Sequence, residues 1–178
     1  LPDLASNSFG QGISVSALQL VTAVGAIVNG GNLLQPSVVK EVRSNGTTTV
    51  SQPVVRRRVV SAQTAATLRN MMRQVLEANS LALVPGYSAG GKSGTAYVPT
   101  DVPASSTGDA YAAEVTIPSY IGFAPYNNPR ILVYVKLDDL KSADFGGVLT
   151  APIFSRLTSE ILRYLDVAPD RPLPADTP

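Results

Sequence analysis

From Leu4 to Val39 the chain carries no charged residue, and this run limits the fold more than any other feature of the sequence. A stretch of this kind either crosses a membrane or is buried in protein. Its most apolar part, Ile13 to Val28, is shorter than the ~20 residues a span requires, and it contains Ser14, Ser16, Gln19 and Thr22. A buried core helix is therefore the expectation. Its ends are written locally. Ser16 and Gln19 have the spacing of a capping box, with Val15 and Leu20 placed to form a hydrophobic staple. Ala17 to Val28 is apolar on nearly every side, as for a helix covered all round, and Asn29-Gly30-Gly31 stops it.

A β-like stretch follows, through Leu33-Leu34 to Val38-Val39, and Ser44-Asn45-Gly46 reads as a turn. Arg56-Arg57-Arg58 lies in what reads as a solvated connection to a second helix. That helix is expected to start at the N-cap Ser61, bury Ala65, Leu68, Met72, Val75 and Leu76, and run to about Asn79. The second half reads as strands: Gly90 to Val98, Thr116 to Phe123 and Arg130 to Leu137, the last two forming an antiparallel hairpin. Pro99 to Gly108 is a polar loop. After Gly146-Gly147 a last helix begins near Pro152, with Ile153, Leu157, Ile161 and Leu165 on one stripe. Residues 1–167 form the folded part, and the proline-rich residues 168–178 read as a loose tail. The fold class is α/β (α+β-like), an antiparallel sheet flanked by helices.

Composition narrows the chemistry. The chain has no His, Cys or Trp, which removes the Ser–His–Asp triad, thiol nucleophiles, disulfides and the commonest zinc sites. Ser, Thr, Lys, Tyr, Asp and Glu must carry any reaction, and no cofactor or metal is implied. Fourteen basic and thirteen acidic residues give a net charge of +1, so nucleic acid is not a suggested partner.

Three motifs compete for that chemistry. Residues 86–93 satisfy GxxxxGK[ST], but a phosphate-binding loop needs a helix to follow. Gly94-Thr95-Ala96-Tyr97-Val98-Pro99 follows instead, which is a strand sequence. Ser37-Val38-Val39-Lys40 matches SxxK, which requires a helix to bring its Ser and Lys to one face. It sits after Pro36 in a β-like segment and is rejected as a catalytic pair. The third is Lys92 to Thr95 read as a strand. Ser93 and Thr95 then share a face, and two hydroxyls at that spacing can bind one carboxylate. Gly94 would admit a close backbone neighbour, and an exposed edge would accept an extended peptide. On spacing alone, a glycine-rich strand with a snorkelling lysine fits equally well.

Lys92-Ser93-Gly94-Thr95 resembles the Lys-Thr/Ser-Gly motif of the penicillin-binding proteins, specifically the class B D,D-transpeptidases. Further blocks agree in order and spacing. Residues 9–20 resemble that family's "FGQGISVTPLQL" segment, and Asn29-Gly30-Gly31 its "NGG". Residues 119–125 resemble "SFxGFAP", and Gly146-Gly147 through Phe154 resembles "GGxxAAPxF". The similarity runs over about residues 7 to 167.

The resemblance implies a five-stranded antiparallel sheet between helices, with this chain supplying three strands as the C-terminal half of a transpeptidase domain. It implies acyl transfer from D-Ala–D-Ala stem peptides of peptidoglycan, and acylation by β-lactam antibiotics. Lys92 would support proton transfer, Ser93 and Thr95 would hold the substrate carboxylate beside Gly94, and the Thr95 N–H would be an oxyanion donor. Such a donor contributes about 3 kcal/mol in related sites. The family's SxxK nucleophile and SxN motifs lie upstream of "FGQGISV". The chain begins Leu1-Pro2-Asp3 without Met, so it is expected to be an internal piece, inactive alone and associated with the missing N-terminal half or with another copy. By the same resemblance the whole protein is anchored to the bacterial cytoplasmic membrane through a missing N-terminal segment. This domain then lies on the extracytoplasmic face, among the cell-wall synthesis machinery. A non-catalytic relative that keeps the fold as a scaffold, and a P-loop nucleotide binder, are the alternatives.

Overall fold

The computed structural model describes residues 4, 7–8, 10, 13–99, 111–138 and 146–172. The loop expected after Pro99 and residues 173–178 of the tail lie outside them. The chain divides into two compact units, Ser16–Asn70 and a second formed by Leu1–Val15 with Met71–Pro178.

The Ser16–Asn70 unit starts with helix α1 (Ala17–Val28). Both halves of its capping box form: Ser16 Oγ accepts the Gln19 N–H at 3.2 Å, and Gln19 Oε1 accepts the Ser16 N–H at 2.8 Å. At its end the Gly31 N–H bonds the Ala26 carbonyl at 2.7 Å. Gly31 has φ +102°, and a Cβ there would lie 2.2 Å from the Val60 carbonyl oxygen, so only glycine fits. Among the described residues no helix is long and apolar enough to cross a membrane. However, α1 is not covered all round: only Ala26 is buried and Leu18 is 60% exposed. Two-stranded sheets are too small to enclose a helix that is apolar on every side.

Those sheets are β1 (Asn32–Leu34) paired with β4 (Val55–Arg58), and the hairpin β2 (Glu41–Ser44) with β3 (Thr47–Val50). The three arginines thus stand on a strand rather than a connection, although all of β4 is exposed. Arg58 donates to the Gly30 carbonyl at 2.8 Å. The expected Asn45-Gly46 turn joins β2 to β3 with φ +50° and +73°, the positive pair a tight two-residue hairpin requires. Residues 35–40 form no regular element, and Ser37 Oγ accepts the Val39 N–H at 3.2 Å. Ser37 and Lys40 therefore do not share a helical face.

Helix α2 (Ala62–Glu77) spans the division between the units. Ser61 caps it by accepting the Thr64 N–H at 3.0 Å. It ends two residues before Asn79, whose Oδ1 instead accepts the Leu81 N–H and caps a single 3₁₀ turn, Ser80–Ala82. Ala65 and Leu76 are buried as expected, whereas Val75 is exposed.

In the second unit β5 (Gly90–Pro99), β6 (Tyr111–Ala124) and β7 (Ile131–Lys136) form an antiparallel sheet in that order. Two helices follow, α3 (Gly146–Leu149) and α4 (Ala151–Tyr164). Tyr120 and Phe154 lie at the centre of the core, their ring centroids 4.8 Å apart, with Leu76 and Leu162 beside them. The apolar stripe expected on α4 faces out: Ile153, Leu157, Ile161 and Leu165 are exposed, and Ala151, Phe154, Thr158 and Leu162 are buried. The two stripes lie about one residue apart around the helix. The small residues Ala151, Thr158 and Ser159 flank Phe154 on the inner one, which lets α4 approach the sheet closely.

The tail also departs from expectation. Residues 167–171 are fastened to the loop before β5: the Asp170 and Arg171 N–H groups both reach the Gly86 carbonyl, at 3.1 and 3.2 Å. Tyr87 donates its hydroxyl to the Val167 carbonyl at 2.7 Å.

Candidate active site

No helix follows Lys92, and the residues of the P-loop pattern run straight into β5. That rules out a phosphate-binding loop, since its anion site is the N-terminus of such a helix. Lys92, Ser93, Gly94 and Thr95 pair across β6 with Ile121, Tyr120, Ser119 and Pro118. Among the described residues β5 is an edge strand.

The backbone directions at that edge follow from Pro118. Its carbonyl accepts the Leu137 N–H at 3.0 Å, so its polar groups face the β7 side of the sheet. Along an antiparallel strand these directions alternate. Ser119 therefore faces β5 and exchanges bonds with Gly94, which leaves the N–H and C=O of Ser93 and Thr95 pointing outward from the sheet. The Ser93 carbonyl indeed takes the Lys92 ammonium at 2.7 Å. The same reasoning explains a proline in a central strand. Pro118 stands one residue beyond the last β6–β7 pair, Ser119 with Lys136, where its missing N–H costs least.

The side chains divide between the two faces as the strand period demands. Ser93 and Thr95 are half-buried on the face of Tyr120, the face against which Phe154 packs, and Lys92 is exposed. Lys92 Nζ also lies 3.4 Å from Ser93 Oγ. That hydroxyl accepts from the ammonium and keeps its own proton for donation to an anion. Thr95 Oγ1 accepts the Gly146 N–H at 3.1 Å. One ammonium, two hydroxyls and an outward N–H are thus gathered along four residues, all of them of a kind that stabilises negative charge.

Sequence reasoning overlooked the parts that hold this edge. Gly146 stands directly on it: a Cβ there would meet the Gly94 carbonyl oxygen at 2.1 Å and the Ser119 backbone at 2.9–3.0 Å. Asn79 Nδ2 bonds the Gly147 carbonyl at 3.0 Å, tying α3 to the end of α2. Ser119 Oγ fills the space a side chain on Gly94 would occupy. The Gly146-Gly147 pair that opens α3 is the one sequence signal for this contact.

Comparison with known proteins agrees with this fold. The family model of the penicillin binding protein transpeptidase domain matches residues 3–159. Stage V sporulation protein D of Bacillus subtilis is 36% identical over 171 residues, which make up 93% of this chain and 25% of that protein. The probable peptidoglycan D,D-transpeptidase PenA of Neisseria flavescens is 33% identical, over 95% of this chain and 39% of its own length. Penicillin binding protein 3 of Mycobacterium tuberculosis, solved in complex with aztreonam, superimposes with a TM-score of 0.75 at 32% identity, over 95% of this chain and 39% of that one. The chain spans well under half the length of these relatives. Its strand order, its Lys92–Thr95 edge and its match along residues 3–159 together place it in the penicillin-binding protein transpeptidase family, alongside class B members.

Proposed function

We propose that this chain is the C-terminal half of the transpeptidase domain of a peptidoglycan D,D-transpeptidase, and that it supplies one wall of the active site. The observation that carries the reading is the β5 edge, where Lys92, Ser93 and Thr95 present an ammonium, two hydroxyls and an outward N–H. An extended stem peptide ending in D-Ala–D-Ala adds alongside β5, as a strand adds to a sheet edge. Its terminal carboxylate is held by the hydroxyls of Ser93 and Thr95. A serine outside these 178 residues attacks the carbonyl of the penultimate D-Ala, and the Thr95 N–H stabilises the oxyanion. Lys92 supports the transfer of the serine proton to the departing amine. Terminal D-Ala leaves, and the acyl group passes from the serine to an amine of a neighbouring strand. A β-lactam follows the same first step and remains on the serine.

The protein of which this chain is part then works on the extracytoplasmic face of the cytoplasmic membrane, anchored by a segment outside the chain, together with the cell-wall synthesis machinery. Covalent labelling of that protein by a fluorescent penicillin tests the role of the edge. Lys92→Ala is expected to lower the labelling rate at least a hundredfold. Thr95→Val, which removes one hydrogen bond to a charged group, should lower it by about ten- to a hundredfold. Labelling of Lys92→Ala at the wild-type rate would overturn the reading.

A further inference from the structure

The loop that leads into β5 is held by the other end of the chain. Ser88, 6% exposed, gives its N–H to Asp170 Oδ1 at 2.6 Å and its hydroxyl to Asp170 Oδ2. The same Ser88 Oγ accepts the Tyr126 N–H at 3.0 Å, which connects the β6–β7 hairpin to the loop. Just before Ser88 in the loop the segment 167–171 makes further bonds: Tyr87 to the Val167 carbonyl, and two N–H groups to the Gly86 carbonyl. Arg171 closes the arrangement by pairing with Glu77 at the end of α2. Bonds from a carboxylate to two donors on one residue are charge-assisted and directional. β5 begins two residues after Ser88, and Lys92 is four residues on. Since β5 pairs only with β6 among the described residues, the position of its first residues depends on this loop.

We infer that Asp170 is a positioning residue for the β5 edge, acting through Ser88, and that residues 167–171 form a strap that fixes where Lys92, Ser93 and Thr95 stand. The inference rests on the transpeptidase reading above. It follows from the sensitivity of acyl transfer to alignment, where a shift of 1 Å in a distant support costs up to about a hundredfold in rate. The carboxylate touches no reacting atom. Its effect is to keep the oxyanion donor and the carboxylate-binding hydroxyls in register with a nucleophile supplied from elsewhere in the protein.

The test is pre-steady-state acylation of the complete protein by a fluorescent penicillin, resolved into the non-covalent constant Ks, the acylation rate constant k2 and the labelled fraction. Asp170→Ala is expected to lower k2 about tenfold with Ks changed less than threefold. Asp170→Asn keeps an acceptor for the Ser88 N–H and should recover part of the loss. Ser88→Ala removes the hydroxyl alone and should resemble Asp170→Asn, which keeps the inference testable if Asp170→Ala fails to fold. A purely structural role predicts a smaller labelled fraction with k2 unchanged in the molecules that label, and that result would overturn the strap. If the wild-type protein is not acylated at all, the transpeptidase reading itself fails.

Discussion

In the unit built on β5, β6 and β7, the large side chains Tyr120, Phe123, Phe154 and Leu162 are all at most 1% exposed. In Ser16–Asn70 the buried residues are Ala26, Gly31 and Ala65, none larger than alanine. The chain's +1 balance also hides a difference in charge: Ser16–Asn70 holds six Lys and Arg residues against the single acid Glu41. One unit is therefore organised by aromatic packing between a sheet and α4. The other is organised by backbone devices, namely a capping box, a tight turn and a glycine against a carbonyl. The proposed chemistry resides in the first, where a packed core gives an edge strand a fixed position.

The largest effect should separate the two kinds of organisation. Phe154→Ala empties the centre of the core and is expected to cost about 3–5 kcal/mol of stability in urea denaturation. Ile153→Ala on the same helix should cost less than about 1 kcal/mol, because that side chain is 36% exposed. A larger loss for Ile153→Ala would mean that the inner and outer stripes of α4 have been assigned the wrong way round.

A second, smaller comparison uses one glycine from each unit. Gly146→Ala drives a methyl group into the Gly94 carbonyl, and Gly31→Ala drives one into the Val60 carbonyl. Each should cost about 2–3 kcal/mol by the same denaturation measurement. Only Gly146→Ala should also reduce penicillin labelling of the complete protein, since only Gly146 touches the β5 edge. Loss of labelling in Gly31→Ala, at a temperature where it is folded, would show that the edge depends on both units.

The smallest effect is confined to alkaline pH. Burial pushes the Tyr120 hydroxyl up from 10.0 to about 12, because a phenolate is poorly solvated there. The folded state then holds a proton that the unfolded chain loses above pH 10. Stability should be fully present below pH 10 and fall as pH rises towards 12. Among the described residues Tyr120 Oη has no hydrogen-bond partner, so Tyr120→Phe should leave stability at pH 7 nearly unchanged and flatten its decline between pH 10 and 12. Denaturation midpoints across that interval check the sign.

What the sequence revealed was what is encoded locally. Ser16 with Gln19, Ser61 with Thr64 and the Asn45-Gly46 turn each act within three or four residues, so spacing alone exposes them. The β-branched runs of β6 and β7 were equally plain, and with them the strand nature of Lys92 to Thr95. The inner face of α4 was not legible. Ile153, Leu157 and Ile161 form as good a periodic stripe as Ala151, Phe154, Thr158 and Leu162, and the choice is made by the sheet the helix meets. The supports of the site were hidden for a related reason. Thr95 and Gly146 lie 51 residues apart, and Ser88 and Asp170 lie 82 apart. Asp170 in particular lies in a proline-rich stretch whose composition resembles a free tail. The short strand β4 gave no signal either, because four residues are too few to show a period.

The central claim is that these 178 residues hold the β5 wall of a transpeptidase site whose nucleophile lies elsewhere. Exposure of the isolated chain and of the complete protein to a fluorescent penicillin, followed by intact-mass analysis, tests it most directly. The account predicts a covalent adduct on the complete protein and none on the 178-residue chain. An adduct on the isolated chain would contradict it.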